Sequence, residues 1–245
     1  MVNHNQLLNL PSSDELPDSD DKPVDNEIQN LIPVLLRAVL NQLWGDRSDW
    51  FFGVNMGIFH TTGSSPRVPI IPDAFLSLGV PRFKNNKSRT SYVLWEENYI
   101  APIFVLEIVS QTYGNEYDQK MIDYARLGVL YYVIYNPDYT KRDKHEHFEV
   151  YRLLNGAYQR LQGNPVWMPE IGLGIGTEVS YNERWEREWL YWYDLEGNKF
   201  MTLEEQALQE KQRAEQLEQQ VQQERQRAEQ LEQMLRSLGV DPEKL

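Results

Sequence analysis

The apolar positions change period several times along the 245-residue chain, and each change marks an element. Ile28, Leu31, Ile32, Leu35, Leu36, Val39 and Leu43 recur at three- and four-residue steps. That spacing predicts an amphipathic helix starting near Glu27, capped by Asp25 or Asn26 and stopped at Gly45 and Asp46. WFFGVNMGIF (50–59) is rich in strand formers, and RVPIIPDAFLSLG (67–79) reads as a second strand interrupted by Pro69 and Pro72. After an excursion over 80–101, IFVLEIVS (103–110) is an almost unbroken apolar run of strand length, the pattern of a buried central strand. A second helix follows over roughly Tyr117 to Leu127, ended by Gly128, and then a buried strand, VLYYVIY (129–135). HFEVYRLL (147–154) and AYQRL (157–161) alternate as a hairpin around Asn155-Gly156. The order is α-β-β-β-α-β followed by a meander, which suits a mixed sheet with helices on its faces, an α/β fold. WEREWLYW (185–192) carries Trp185, Trp189 and Trp192 at helical spacing and is expected to cover the core.

The flanks differ from this central region of 26–199. Residues 1–25 hold six acids against Lys22, with Pro11, Pro17 and Pro23, and are expected to be disordered or loosely attached. In the 200–245 tail, KQRAEQLEQQVQQE (211–224) repeats as RQRAEQLEQMLRSL (225–238). Ala207, Ala214, Val221, Ala228 and Leu235 then fall at heptad position a, and Leu203, Leu217, Leu231 and Leu238 at d. This is the seam of a coiled coil, weakened by Glu210 and Glu224 at d, and the expectation is a homo-oligomer. A single solvated helix is the rival reading. Gly239 and Pro242 supply the stop.

Charge and composition narrow the chemistry. The net charge is −13, yet residues 26–199 carry 17 basic and 21 acidic side chains, a net of only −4. Global acidity argues against a generic nucleic-acid coat but leaves room for a local basic site. The absence of cysteine excludes disulfides, thiolate metal sites and a cysteine nucleophile. With an Asp-rich start unlike a signal peptide, and no apolar run of membrane-spanning length, a cytoplasmic protein off the membrane is expected.

The informative residues are the acids inside apolar strands. Glu107 lies within IFVLEIVS and Asp73 within IIPDAFL. A buried carboxylate is costly unless paired, protonated or metal-bound. Two carboxylates at adjacent strand ends can share a divalent cation, and hard oxygen ligands suit Mg²⁺ or Mn²⁺. Lys120, on the following helix, could orient or deprotonate an attacking water or stabilise phosphate charge. Each element alone has an ordinary reading: an Asp after Pro as a turn residue, a strand Glu as an edge residue.

These same residues carry a resemblance. IIPDAFLSLG, IFVLEIVS and EYDQKMIDYARLGVLYYVIYNPD resemble the Uma-type restriction endonucleases of the PD-(D/E)XK nuclease superfamily, over about residues 24 to 197. The resemblance implies a restriction-endonuclease-like αβββαβ core and divalent-metal-dependent hydrolysis of phosphodiester bonds in DNA. It carries the metal carboxylates onto Asp73 and Glu107. The superfamily lysine lies two residues after the acid, where this chain has Val109; in the Uma-type pattern it lies on the following helix, here Lys120.

Supporting candidates surround this triad. Glu27 is a helix acid that could lie near the metal or simply favour the helix dipole. Asp118 and Tyr124 share a helix with Lys120; Tyr124 could hold the lysine or be a core tyrosine. Ser110 could bond near Glu107 or merely end the strand. Arg82, Lys84, Lys87 and Arg89 lie in the excursion between the two acidic strands and are expected to approach the site and contact DNA phosphates. His145-x-His147 reads as a solvated strand rather than a metal site, and Gly172-x-Gly174-x-Gly176 lacks the strand-turn-helix context of a dinucleotide loop. Two function classes follow: a metal-dependent DNA endonuclease, and a non-cleaving nuclease-fold module for DNA binding or assembly organised by the coiled coil. An RNA-processing nuclease would share the same metal site.

Overall fold

The structure is a computed structural model that describes residues 7, 9–17, 26–84, 87–182 and 184–237. It divides into two compact units, residues 1–200 and 201–245. In the first, helix α1 (Ile28–Leu43) begins as its spacing predicts, with the Gln29 N–H donating to the Asn26 side chain at 3.2 Å. Strands β1 (Trp50–Val54), β3 (Ala74–Leu78), β5 (Phe104–Ile108), β6 (Tyr131–Tyr135), β7 (Phe148–Leu154) and β8 (Ala157–Leu161) form one sheet in that spatial order. Only β5 and β6 run parallel, and helix α2 (Gln119–Leu127) makes the crossover between them. The sheet is mixed, and its order with the two helices is αβββαβ.

The pleat of β3 and β5 separates two cores. Ala74, Leu76, Phe104, Leu106 and Ile108 pack with Ile32, Leu36 and Leu40 of α1. Phe75, Val105 and Val109 pack on the other face with Tyr124 and Leu127 of α2. A second, antiparallel sheet of β9 (Val166–Met168), β10 (Leu173–Asn182) and β11 (Trp185–Tyr193) backs the α1 core. Trp192 Nε1 donates to the Leu36 carbonyl there at 3.0 Å.

Three expectations need correction. The 50–59 run is two strands, because Asn55 turns with φ 46° before β2 (Ile58–Phe59). β2 leaves the main sheet and pairs in parallel with β4 (Tyr92–Val93). The tryptophan segment is strand β11, not helical: register against β10 outweighs its helix-like spacing. Residues 9–17 of the acidic arm are docked, with Leu16 buried against Phe59 and Val93 and Trp95 Nε1 donating to the Pro11 carbonyl at 2.8 Å. Leu16 and Pro11 supply the apolar anchor that the surrounding acids obscure; residues 18–25 lie outside the described part.

In the second unit, α3 (Leu203–Ser237) is one helix of 35 residues. The expected stop at Gly239 and Pro242, with Leu238, lies outside the described residues. Among the described residues no helix is long and apolar enough to cross a membrane.

Candidate active site

β3 and β5 are antiparallel with Ala74 opposite Leu106, so one further step of the register sets Asp73 opposite Glu107. Both fall in phase with Phe75 and Val105, on the face covered by α2. The Asp73 carbonyl accepts from the Asn55 N–H at 3.0 Å, and its Oδ2 accepts from the Ile108 N–H at 2.6 Å. Asp73 is 8% exposed and Glu107 1%.

α2 meets Glu107 with two side chains one turn apart. Lys120 Nζ donates to Oε2 at 2.8 Å, and the Tyr124 hydroxyl donates to Oε1 at 2.6 Å. The Lys120 side chain keeps 28% of its exposure, so the ion pair sits at an opening while its carboxylate is inside. Gly128, in the left-handed conformation at φ 87°, closes α2 through bonds to the Tyr124 and Ala125 carbonyls.

Burial, and then the neighbouring Glu107, push the Asp73 carboxyl well above the usual aspartate range. Burial also raises Glu116, whose carboxylate accepts from the Gly114 N–H at 3.0 Å and lies in the field of Lys120 and Glu107. For Lys120 burial pulls downward, but Glu107, Asp73 and Glu116 together outweigh it, and its pKa is raised. Tyr124 is raised well above its ordinary value by burial first and by Glu107 next. The site therefore retains protons and a lysine charge in answer to crowded acid. Hard oxygen donors whose proton a divalent cation would replace are the donor set that Mg²⁺ or Mn²⁺ takes. Among the described residues no cluster of three or more acidic, histidine or cysteine ligands gathers at metal-binding range.

The supporting residues distribute unevenly. Glu27 is exposed at the start of α1, whereas Gln29, two residues further on, reaches the Ile108 carbonyl with Nε2 at 3.3 Å. Asp118 accepts from the Tyr113 hydroxyl at 2.6 Å rather than from Lys120. Ser110 Oγ donates to the Thr112 carbonyl at 3.0 Å. His145 and His147 face different acids, Glu149 at 3.2 Å and Glu188 at 3.7 Å. Gly174 and Gly176 are strand residues of β10. Gln29 and Glu116 were not singled out from sequence. A lone glutamine on a helix and a glutamate in a polar loop carry no apolar frame to mark them.

The basic excursion lies elsewhere than expected. It leaves β3 after Leu78 and re-enters β5 at Phe104, the strand ends remote from the two acids. Five residues of β3 separate it from Asp73, about 17 Å of extended chain. The Arg82 N–H bonds to the Ser48 carbonyl, and its guanidinium stacks on Trp50 at 4.2 Å. Arg89 is buried and forked onto Glu97 at 2.9 and 3.2 Å, and Lys84 pairs with Glu96 at 2.9 Å. Lys87 is exposed. Antiparallel pairing sends a connection away from acids that sit at one strand's start and the other's end.

A cavity of about 890 Å³ opens between the 60–70 segment and α2, lined by His60, Thr61, Ser64, Gln119, Asp123 and Arg126, and Asp73, Glu107 and Lys120 are not part of its lining.

The Uma2 family profile, described as "Putative restriction endonuclease", matches residues 20–181, a span that includes Asp73, Glu107 and Lys120. This chain belongs to the Uma2 family. The family span ends inside β10, so α3 lies outside what Uma2 members share here. A solved structure titled "a putative nuclease belonging to DUF820", from Anabaena variabilis, is similar over 61% of this chain and 76% of its own, at 15% identity and a TM-score of 0.44. No curated protein sequence matches.

Proposed function

We propose that this Uma2 chain is a divalent-metal-dependent endonuclease that hydrolyses phosphodiester bonds in DNA. One observation carries the reading: two buried carboxylates face each other across β3 and β5, with a partly exposed lysine on one of them. Asp73 and Glu107 are the residues that would hold Mg²⁺ or Mn²⁺. Such an ion, when bound, neutralises phosphate charge and lowers the pKa of water.

The chain's own groups do the rest. Tyr124 fixes the Glu107 carboxylate from inside, so the acid does not rotate away when Lys120 turns to substrate. Lys120, charged and at the opening, binds a non-bridging phosphate oxygen and stabilises the negative charge that builds during attack. The Ile108 N–H holds Asp73 in place through Oδ2, leaving Oδ1 directed to the ligand role. Of the basic excursion, Lys87 retains a cation exposed to phosphate.

The alternative, a nuclease fold that binds DNA without cutting it, draws support from the engagement of both Glu107 oxygens by Lys120 and Tyr124. The deciding experiment incubates the protein with supercoiled plasmid, single-stranded DNA and RNA, with Mg²⁺, Mn²⁺ or chelator. Metal-dependent cleavage of plasmid, lost in Asp73→Asn, supports the endonuclease. Metal-independent DNA binding with no cleavage by either protein supports the alternative, and cleavage confined to RNA reassigns the substrate.

A further inference from the structure

Helix α3 carries an apolar stripe that its own unit leaves uncovered. Leu203, Leu217, Val221 and Leu231 are each more than half exposed. With Ala207, Ala214 and Ala228 they repeat every seven residues along a helix about 52 Å long. A seven-residue repeat drifts around a straight helix and stays on one side only when two helices wind about each other.

The charges that flank the stripe identify the second helix. On one side lie Gln206, Arg213, Gln220 and Arg227; on the other lie Glu204, Lys211, Glu218, Arg225 and Glu232. In a parallel pair, a residue on the first side faces the residue five places later on its partner. Two identical helices in register then set Arg213 against Glu218 and Arg227 against Glu232, each twice by symmetry. Gln206 meets Lys211 and Gln220 meets Arg225, so no like charges meet along the flanks. Laid antiparallel end to end, the same helices set Glu204 against Glu232, Lys211 against Arg225, Glu218 against itself and Arg213 against Arg227. Every charged flank would then repel, and the antiparallel stagger that relieves this, pairing Glu204 with Arg225 and Lys211 with Glu218, gives up about a heptad of overlap.

The two acids within the stripe each fall opposite their own copy in the parallel pair, and the residue that follows each offsets the like charge. Glu210 and Glu224 are each followed by a cation, Lys211 and Arg225. The hole that receives such a side chain in a parallel pair is walled by that following position of the partner helix. Glu210 therefore meets the second helix's Lys211 as well as its Glu210, and Glu224 its Arg225 as well as its Glu224, so each like-charged layer is flanked by two cations. Within one helix Lys211 and Arg227 make only loose ion pairs, at 3.9 and 4.0 Å, with side chains 74% exposed. A slip by 14 residues keeps the charge match but gives up two of the five heptads.

The geometry points to a parallel, in-register pairing of α3 with α3 of a second copy of this chain. The occupant of the stripe is the chain itself, and the pairing brings the two copies of residue 201 to the same end.

The chain has no cysteine, so a single introduced thiol reads the arrangement in the full-length protein. Leu231→Cys is expected to form disulfide-linked dimers under mild oxidation, because the two positions coincide. In an antiparallel pair they would be about 40 Å apart, beyond any disulfide. There, chains carrying Ala207→Cys would instead link to chains carrying Leu231→Cys. Independently, Arg213→Glu with Arg227→Glu should lower the light-scattering mass from two chains to one at micromolar concentration. Adding Glu218→Arg and Glu232→Arg should restore it. A one-chain mass for the unaltered protein, a 207-to-231 crosslink, or a pair indifferent to both charge changes would overturn the proposal. None of these readouts involves cleavage, so their failure leaves the nuclease reading standing.

Discussion

At the scale of single residues, the protonation of Asp73 has a measurable consequence. Its carboxyl is raised by burial and by Glu107, so the folded chain keeps that proton to a higher pH than the unfolded chain. Between the ordinary value of about 3.9 and the raised one, the folded state binds the extra proton. Stability in chelator is therefore fully present below that window and declines as pH rises through it. Asp73→Asn retains an oxygen for the Ile108 N–H and has no proton to lose. Its melting temperature without metal should be equal or higher near neutral pH, with a shallower decline, while metal binding followed by calorimetry is lost. An unchanged pH profile would show that Asp73 ionises normally. Glu107→Ala behaves oppositely, because it strands the Tyr124 hydroxyl and the Lys120 charge; a loss of about 1–3 kcal/mol in urea unfolding is expected. Arg89→Ala leaves Glu97 buried with a weakened partner set and should cost about 3–5 kcal/mol. DNA affinity measured at a salt where that variant stays folded should not change, which separates a structural arginine from a phosphate contact. Asp73 and Glu107 stood out in the sequence as charges framed by apolar residues, whereas Lys120 came from its place on the following helix and from the Uma-type pattern. Arg89 was not legible, because its acid, Glu97, lies in the same polar loop and nothing in the sequence shows that the two are buried.

At the scale of elements, the helices and central strands were readable from period alone, whereas β10 and β11 depend on contacts distant in sequence. Trp185, Trp189 and Trp192 suit a helix by spacing, yet pairing of Glu178 with Trp189 and of Ile175 with Trp192 holds them extended. The three nearby glycines lacked a nucleotide-loop context, and the structure shows what one of them does. A Cβ at Gly176 would stand 2.5 Å from Asn164 Oδ1 and 2.8 Å from Pro165 Cα. Asn164 cannot move aside freely, since its side chain holds the Thr177 N–H at 2.8 Å and the Thr177 carbonyl at 3.0 Å. Gly176→Ala should therefore cost about 1–3 kcal/mol, the range of overpacking in a settled interior. Gly172→Ala has open space and meets only its positive φ, 77°, so the smaller loss there should come from backbone strain. Urea unfolding of the two variants checks the order; equal losses would mean that the close approach to Asn164 relaxes at little cost.

At the scale of the whole molecule, acidity and the proposed pairing bear on how the proposed endonuclease would cut DNA. Lys84 and Arg89 are committed to Glu96 and Glu97 and so are withdrawn from the phosphate backbone under the proposed reading. Binding by one acidic chain is then expected to be weak, and a chain acting alone to cut one strand and leave. Two chains joined in parallel through α3 are related by a two-fold axis, the same symmetry that relates the antiparallel strands of a duplex. Joining also makes the second encounter intramolecular, at an effective concentration set by the link rather than by the solution. The unaltered protein should thus convert supercoiled plasmid to linear molecules with little accumulation of nicked circles. The full-length Arg213→Glu, Arg227→Glu variant retains every residue of the proposed site and should accumulate nicked circles first, with linear product appearing later and rising with enzyme concentration. A gel time course at fixed plasmid resolves the two. Nicked circles accumulating alike in both proteins would mean that the two active sites of a pair work independently, however the tails associate.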